Sequence, residues 1–354
     1  MPQHWKSIVD GDSYLVVRAP HRLSLGGGGT DLPSYYERYG GYLVAVAITR
    51  YLRVRVGGRC RTWVRLEPGT PALAAFHALV PGLADVAVAT TSDVPAGSGL
   101  GSSGALATAL VAAANAIGGR PSLRPHELAA RAYFFERAAL TASAGRQDTL
   151  VAAHGGLREY EIGPAGVTSR SLVVSPVVRQ RLETNLLLVD TRVRRRAETL
   201  LADQRTRLDD GDAAMAASLH RVKELGRLSA GLFRAGDLDG YAELMHEHWM
   251  VKRERSPGMS TPDIDRLYDL GRRNGVVGGK LVGAGGGGFL LLYSRDPAAT
   301  LAVYAKAGYV GRPVGVSDTG AVIESPTEKS PGSASDRRVD PTTTALPVQP
   351  AGSR

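Results

Sequence analysis

Glycine in this chain falls into three widely separated clusters, and their placement constrains the fold and the site more than any other feature. The central cluster is Gly-Leu-Gly-Ser-Ser-Gly-Ala at residues 99–105, with a small-residue helix expected after it. Gly26 to Gly29 lies far upstream, and Gly285 to Gly288 lies far downstream. A residue without Cβ lets the backbone approach a ligand and turn its N–H groups inward, which is how a main chain cradles phosphate. Three such loops point to one polyphosphate site assembled from distant segments.

The bulk properties narrow the class. A chain of 354 residues that is 43% hydrophobic can bury a large core and form two domains. Cys60 is the only cysteine, so an internal disulfide is impossible and an oxidising compartment is not implied. Neither a signal-peptide pattern nor an apolar run of membrane length is evident, so a cytoplasmic protein with no membrane partner is expected. The formal charge of +9 is carried almost wholly by arginine and is dispersed, apart from Arg192, Arg194, Arg195 and Arg196. Aromatics make up 6% of the chain and do not interleave with basic residues, so a nucleic-acid partner is not expected.

Patterning gives an alternation of strands and helices. Strands are expected over residues 14–17, 42–48, 52–56, 62–66 and 86–91, then at 171–174, 185–189, 289–293 and around 315–323. Residues 105–117 are nearly all Ala, Leu and Val, which reads as a buried helix, and 125–143 reads as an amphipathic one. From 195 to 274 the pattern is helical, with breaks near 209–211, 236–237 and 256–258; a last helix is expected over 297–307. The resulting architecture is α+β, with an N-terminal domain over 1–190 and a C-terminal domain over 191–324 that carries a helical insertion. Residues 325–354 lack an apolar face and read as a disordered tail.

Residues 99–104 satisfy G-x-G-x-x-G, yet no second strand ending in an acidic residue follows, as a dinucleotide site requires. Residues 275–280 lack P-loop spacing, and Leu281 stands where Ser or Thr is needed. What remains is a loop opening a helix, with hydroxyls at Ser98, Ser102 and Ser103 and a positive helix end for anionic oxygens. A tight turn serving only helix packing is the competing account of this loop.

Three segments together resemble the GHMP small-molecule kinase superfamily. They are residues 18–31 (Arg-Ala-Pro-His-Arg-Leu-Ser-Leu-Gly-Gly-Gly-Gly-Thr-Asp), 95–105 and 280–289 (Lys-Leu-Val-Gly-Ala-Gly-Gly-Gly-Gly-Phe). The resemblance implies an N-terminal ATP-binding domain, a ferredoxin-like C-terminal domain and an active site between them, in a monomer or homodimer. ATP would lie on Pro95, Gly97, Ser98, Gly99, Leu100, Gly101, Ser102, Ser103 and Gly104. Residues 26–33, 145–148 and 191–197 look most like the sugar-phosphate branch, in particular kinases that phosphorylate the anomeric hydroxyl of a heptose 7-phosphate. The segment after Thr191 keeps only Thr191 and Arg195 of that branch's usual pattern. Kinases of a free hexose or 6-deoxyhexose, and a catalytically silent sugar-binding regulator, are the alternatives.

The resemblance also implies residue roles. Asp148 would accept or orient the sugar hydroxyl proton, although an aspartate at a helix start also serves as a cap. Ser102 or Ser103 with Glu136 would hold Mg²⁺, unless Glu136 only pairs with Arg131 or Arg137. Arg22 would stabilise charge on the transferred phosphate. Gly28, Gly29, Thr30 and Asp31 would meet the sugar, and Gly286 would close the site, with its glycine cluster packed on the first motif. Arg195 and its neighbours are candidates for a distal phosphate, or form a basic helix face. Lys280 reads as a solvated strand-end residue, and His246 and His248 read as packing or surface residues.

Overall fold

The computed structural model describes residues 14–58, 63–81, 83, 86–194 and 197–324. Cys60, Arg195, Arg196 and the segment 325–354 lie outside the described residues. Two antiparallel sheets organise the chain. The first contains β1 (Leu15–Gly26), β2 (Gly41–Val56), β3 (Val64–Arg65), β4 (Val88–Ser92), β5 (Leu157–Gly163), β6 (Gly166–Ser171) and the terminal β11 (Val322–Glu324). Its order is β11-β1-β2-β4-β3, with β5 and β6 continuing from the other half of β2. The second sheet has the order β10-β7-β9-β8, from β7 (Leu186–Asp190), β8 (Val276–Leu281), β9 (Phe289–Ser294) and β10 (Gly311–Pro313).

Strand β1 positions the site through a change of face. Val17 and Ala19 point into a core shared with the long helices, whereas Leu23 and Leu25 point into a second core that joins the two sheets. All four positions are odd, so a regular strand would send them the same way. A register irregularity between Pro20 and Arg22 inverts the alternation. Arg22 and Ser24 are thereby turned to the side on which the helices begin.

Those helices are α3 (Ser102–Ile117), α4 (Pro125–Ala139) and α5 (Gln147–His154), preceded by α1 (Pro33–Tyr39) and α2 (Pro71–Leu79). Helix α3 is buried along most of its length, as its composition predicts. After α6 (Pro176–Asn185) the helical insertion runs through α7 (Ala197–Asp209), α8 (Ala213–Ala235), α9 (Leu238–Arg253) and α10 (Pro262–Arg273), and α11 (Pro297–Lys306) follows β9. The breaks fall where Gly211, Gly236 and the 256–258 turn predict them.

Several expectations are corrected. The strands expected at 42–48 and 52–56 form one bent strand, because both halves pair with β1 across its irregularity. The strand expected at 171–174 ends at Ser171 as the second arm of the β5–β6 hairpin. The helix expected to reach residue 143 stops at Ala139. Around 315–323 a single bridge from Val316 to Ile48 precedes a short β11, which pairs with β1 at the opposite end of the chain. No helix among the described residues is long and apolar enough to cross a membrane.

Candidate functional site

Two helix starts meet at the centre of the molecule. A Cβ on Gly104 would sit 2.4 Å from Asp148 Cβ and 2.9 Å from the backbone nitrogen of Thr149, so only glycine allows α3 and α5 to begin this close together. Gly101 caps α3 with φ of 79°, a left-handed conformation that suits a residue without Cβ. The positive ends of both helices therefore face one region, a setting that favours anions and carboxylates.

Arg22 ties this region together. Its Nε donates to Asp148 Oδ1 at 2.7 Å and its Nη1 donates to the Gly99 carbonyl at 2.5 Å, while its backbone nitrogen donates to Leu100 O at 3.0 Å. One residue thus holds both the loop and the carboxylate. Asp148 is not spent as a helix cap, and its side chain remains 22% exposed, so a substrate can reach it. Leu100 is fully buried and anchors the loop in the core, whereas Gly97 is exposed and Pro95 and Gly99 are half-buried. Ser98 is buried and its hydroxyl accepts from the Leu100 nitrogen, which shapes the loop from within.

Glu136 projects from α4 into the same region and is almost wholly buried. Ser103 Oγ donates to its Oε1 at 2.6 Å, and no arginine pairs with it among the described residues. Burial pushes the Glu136 carboxyl up to about 8, and the nearby Asp148 charge adds to the rise. Glu136 Oε2 and Ser102 Oγ are buried without a partner. Such an orphaned, all-oxygen donor set fits a hard divalent cation.

The first motif divides into structural and open parts. A Cβ on Gly27 would fall 1.8 Å from Tyr42 O, so that glycine is imposed by packing against β2. Thr30 does not face a ligand, which corrects its expected sugar contact. It is fully buried, its hydroxyl donates to Gly27 O and Tyr42 O, and it accepts from the Tyr42 nitrogen. Asp31 is also engaged within the protein. Its carboxylate accepts from the backbone nitrogens of Gly29 and Gln147, fastening the motif to the start of α5, and burial raises its pKa. Gly145 is required beside it, since a Cβ there would lie 2.1 Å from Asp31 Oδ2. Gly28 and Gly29 remain half-buried at the edge of the site.

The third glycine cluster packs on the second motif rather than on the first. A Cβ on Gly283 would meet Gly99 Cα at 2.6 Å, and one on Gly288 would meet Ser98 O at 2.4 Å. Gly286 is buried and its nitrogen donates to Met259 O. It is Lys280 that reaches the first motif. Far from being solvated, it is buried, donates to Leu25 O at 3.1 Å and lies 3.3 Å from His248 Nδ1. Burial lowers its ammonium to about 7, with Arg22 adding to the fall.

His248, read from sequence as a packing or surface residue, is buried beside Lys280, and two further buried basic residues were not singled out from sequence: Lys252, which donates to the carbonyls of Leu281 and Gly283, and Arg255. Burial also lowers Arg255 to about 10. The one signal in the sequence was the density of bases in Lys252-Arg-Glu-Arg255, at a helix end where bases are usually solvated. In the Arg192–Arg194 segment, Arg194 pairs with Asp190 and Arg192 donates to Gly308 O; Arg195 lies outside the described residues.

Comparison with known proteins agrees with this arrangement. The family model for the GHMP kinases N terminal domain matches residues 70–156, and the model for the GHMP kinases C terminal matches residues 229–311. D-glycero-alpha-D-manno-heptose 7-phosphate kinase of Campylobacter jejuni is 28% identical over 78% of this chain and 88% of its own length. The bifunctional fucokinase/GDP-fucose pyrophosphorylase of Arabidopsis thaliana is 31% identical over 60% of this chain, but over only 20% of its own length. Among solved structures, a D-glycero-D-manno-heptose 1-phosphate kinase from Bacteroides thetaiotaomicron shares the fold with a TM-score of 0.68 at 22% identity. That match covers 89% of this chain and 100% of that one. Lactococcus lactis galactokinase shares the fold with a TM-score of 0.67 at 17% identity, covering 89% of this chain and 97% of that one.

Proposed function

This chain belongs to the GHMP kinases, and from that premise we propose that it transfers the γ-phosphate of ATP to the anomeric hydroxyl of a heptose 7-phosphate. The observation that carries the phosphoryl-transfer reading is the Arg22–Asp148 pair, set between the phosphate loop and the start of α5. The sugar-phosphate reading is supported by similarity to the Campylobacter jejuni heptose 7-phosphate kinase across most of both chains.

Phosphoryl transfer needs positioning and charge neutralisation more than covalent chemistry. The backbone of residues 97–104 and the start of α3 receive the phosphates of ATP. Asp148 takes the proton of the anomeric hydroxyl as that oxygen forms its bond to the γ-phosphorus. The bond from the γ-phosphorus to the bridging oxygen breaks, and ADP leaves with the electron pair. Arg22 orients Asp148 by its Nε and carries positive charge next to the loop that holds the phosphates. Ser102, Ser103 and Glu136 would hold Mg²⁺, which neutralises charge on the β- and γ-phosphate oxygens when bound. Burial raises the Glu136 carboxyl toward its neutral form, so holding a cation there would favour its deprotonation.

The test is ATP consumption over a panel of free hexoses, 6-deoxyhexoses, free heptoses and heptose 7-phosphates, with Asp148→Asn alongside. Turnover is expected with heptose 7-phosphate and should be lost in the variant. Turnover with a free 6-deoxyhexose and none with heptose 7-phosphate would replace the proposed substrate by the fucokinase-like one.

A further inference from the structure

Arg255 occupies an unusual place for a guanidinium. It follows the end of α9 and is buried to 6% exposure, and no carboxylate lies within ion-pair distance of it among the described residues. Its Nε donates to Ser218 Oγ at 3.2 Å, while its Nη2 is buried without any partner. A buried cation with neither a counter-charge nor a full set of acceptors is costly and calls for a partner that the protein does not itself supply. Its neighbours Lys252 and Lys280 are also buried and donate only to neutral groups, so the local field is strongly positive.

The surroundings point to a ligand. A Cβ on Gly29 would stand 3.1 Å from Arg255 Nη1 and 3.8 Å from Gln204 Oε1, and Gln204 Oε1 is likewise buried and unpartnered. Gly29 is half-buried, so this corner opens onto the motif whose other end carries Arg22 and Asp148. The path between them is also lined with unpartnered polar atoms. A Cβ on Gly28 would lie 2.6 Å from Ser24 Oγ and 3.7 Å from the side chain of Gln147, and both Ser24 Oγ and Gln147 Nε2 lack partners. Ser24 is two residues beyond Arg22 on the same face of β1, and Gly29 is one beyond Gly28. The Arg255 corner and the Arg22–Asp148 pair thus flank the same glycine motif, an arrangement that suits a substrate reacting at one end and carrying an anion at the other.

We propose that Arg255 receives the distal phosphate monoester of the substrate, with Gly28, Gly29 and Gln204 shaping its corner and Ser24 and Gln147 facing the sugar hydroxyls between. A guanidinium offers a planar fork that matches phosphate oxygens, and Nη1 and Nη2 are both free for it. The inference rests on the heptose 7-phosphate reading above and assigns its phosphate to this corner instead of to the Arg192–Arg196 cluster.

The experiment measures KM for heptose 7-phosphate, for the unphosphorylated heptose and for ATP, in the wild-type chain and in Arg255→Gln and Arg255→Lys. Loss of a charge-assisted pair predicts a rise of roughly 30- to 100-fold in KM for heptose 7-phosphate in Arg255→Gln. The KM for ATP should move less than threefold, and the preference for the phosphorylated sugar should collapse. Arg255→Lys keeps the charge without the fork and should fall between the two, which preserves the test if the glutamine variant does not fold. A wild-type enzyme that prefers heptose 7-phosphate, with either folded variant keeping that preference in full, overturns the inference and leaves the substrate reading intact. A wild-type enzyme that ignores heptose 7-phosphate and turns over a free sugar overturns both.

Discussion

The two walls of the site bury opposite charges in opposite ways. On one side Asp31, Glu136 and Asp148 gather at the starts of α3 and α5, and each has a donor. Asp31 has two backbone N–H groups, Glu136 has Ser103, and Asp148 has Arg22. On the other side Lys252, Arg255 and Lys280 are equally buried, but they donate only to carbonyls, a serine hydroxyl and a histidine. The acidic wall is thus nearly complete within the protein, while the basic wall lacks its counter-charge. Preorganised carboxylates suit the chemistry of transfer, and unmatched cations suit the holding of an anionic substrate.

Variants on the acidic wall should have the larger effects. Asp148→Asn removes the proton acceptor while keeping its shape, and kcat should fall by about 10²- to 10⁴-fold in steady-state assays with little change in KM for ATP. An activity loss under fivefold would make Asp148 a spacer and remove the chemical contrast between the walls. Glu136→Gln should cost less, about 10- to 100-fold in kcat/KM, and should shift the Mg²⁺ half-saturation concentration upward in a titration of activity. If that concentration stays put, the orphaned oxygens of Ser102 and Glu136 are not the cation site.

The next effects are on stability. Gly145→Ala would press a methyl group against the Asp31 carboxylate, and it should lower unfolding stability by roughly 1–3 kcal/mol in urea titration. A neutral outcome would mean that Asp31 does not fasten the first motif to α5.

The smallest effect sharpens the comparison through pH. Lys280 is lowered from 10.5 to about 7 in the folded chain, so between those values the folded state holds fewer protons than the unfolded one. Stability contributed by this group therefore rises with pH across that window, and below about 7 its full penalty is present. Glu136 works in the opposite sense. Raised from 4.5 to about 8, it loses stability as pH climbs between those values. Lys280→Met should accordingly flatten the pH dependence of unfolding between pH 8 and 10. An unaltered slope would mean that Lys280 is not the buried base it is taken for.

The contrast between the walls also marks what the sequence makes legible. The helix expected over 105–117 and the helical run expected from 195 follow from local composition and spacing and are found at 102–117 and from 197 onward, whereas the partner of the third glycine cluster, the second motif and not the first, does not. Arg22, Asp148 and Glu136 come from the motif resemblance, and Arg22, which lies 126 residues before Asp148 and 114 before Glu136, is turned toward them by the change of face in β1. That irregularity depends on pairing with β2, which no local pattern announces. The resemblance implies sugar contacts for Thr30 and Asp31, yet both side chains bond backbone groups. Lys252, Arg255 and Lys280 look solvated because bases at element ends usually are. Their burial arises only when the second sheet and α9 close against the first motif.

The most direct test of the central claim is the ³¹P and ¹H spectrum of the product formed from ATP and heptose 7-phosphate. The account predicts a second phosphate coupled to the anomeric proton, with the 7-phosphate retained. A new phosphate on any other carbon, or ATP consumption only when the sugar carries no phosphate, would contradict it.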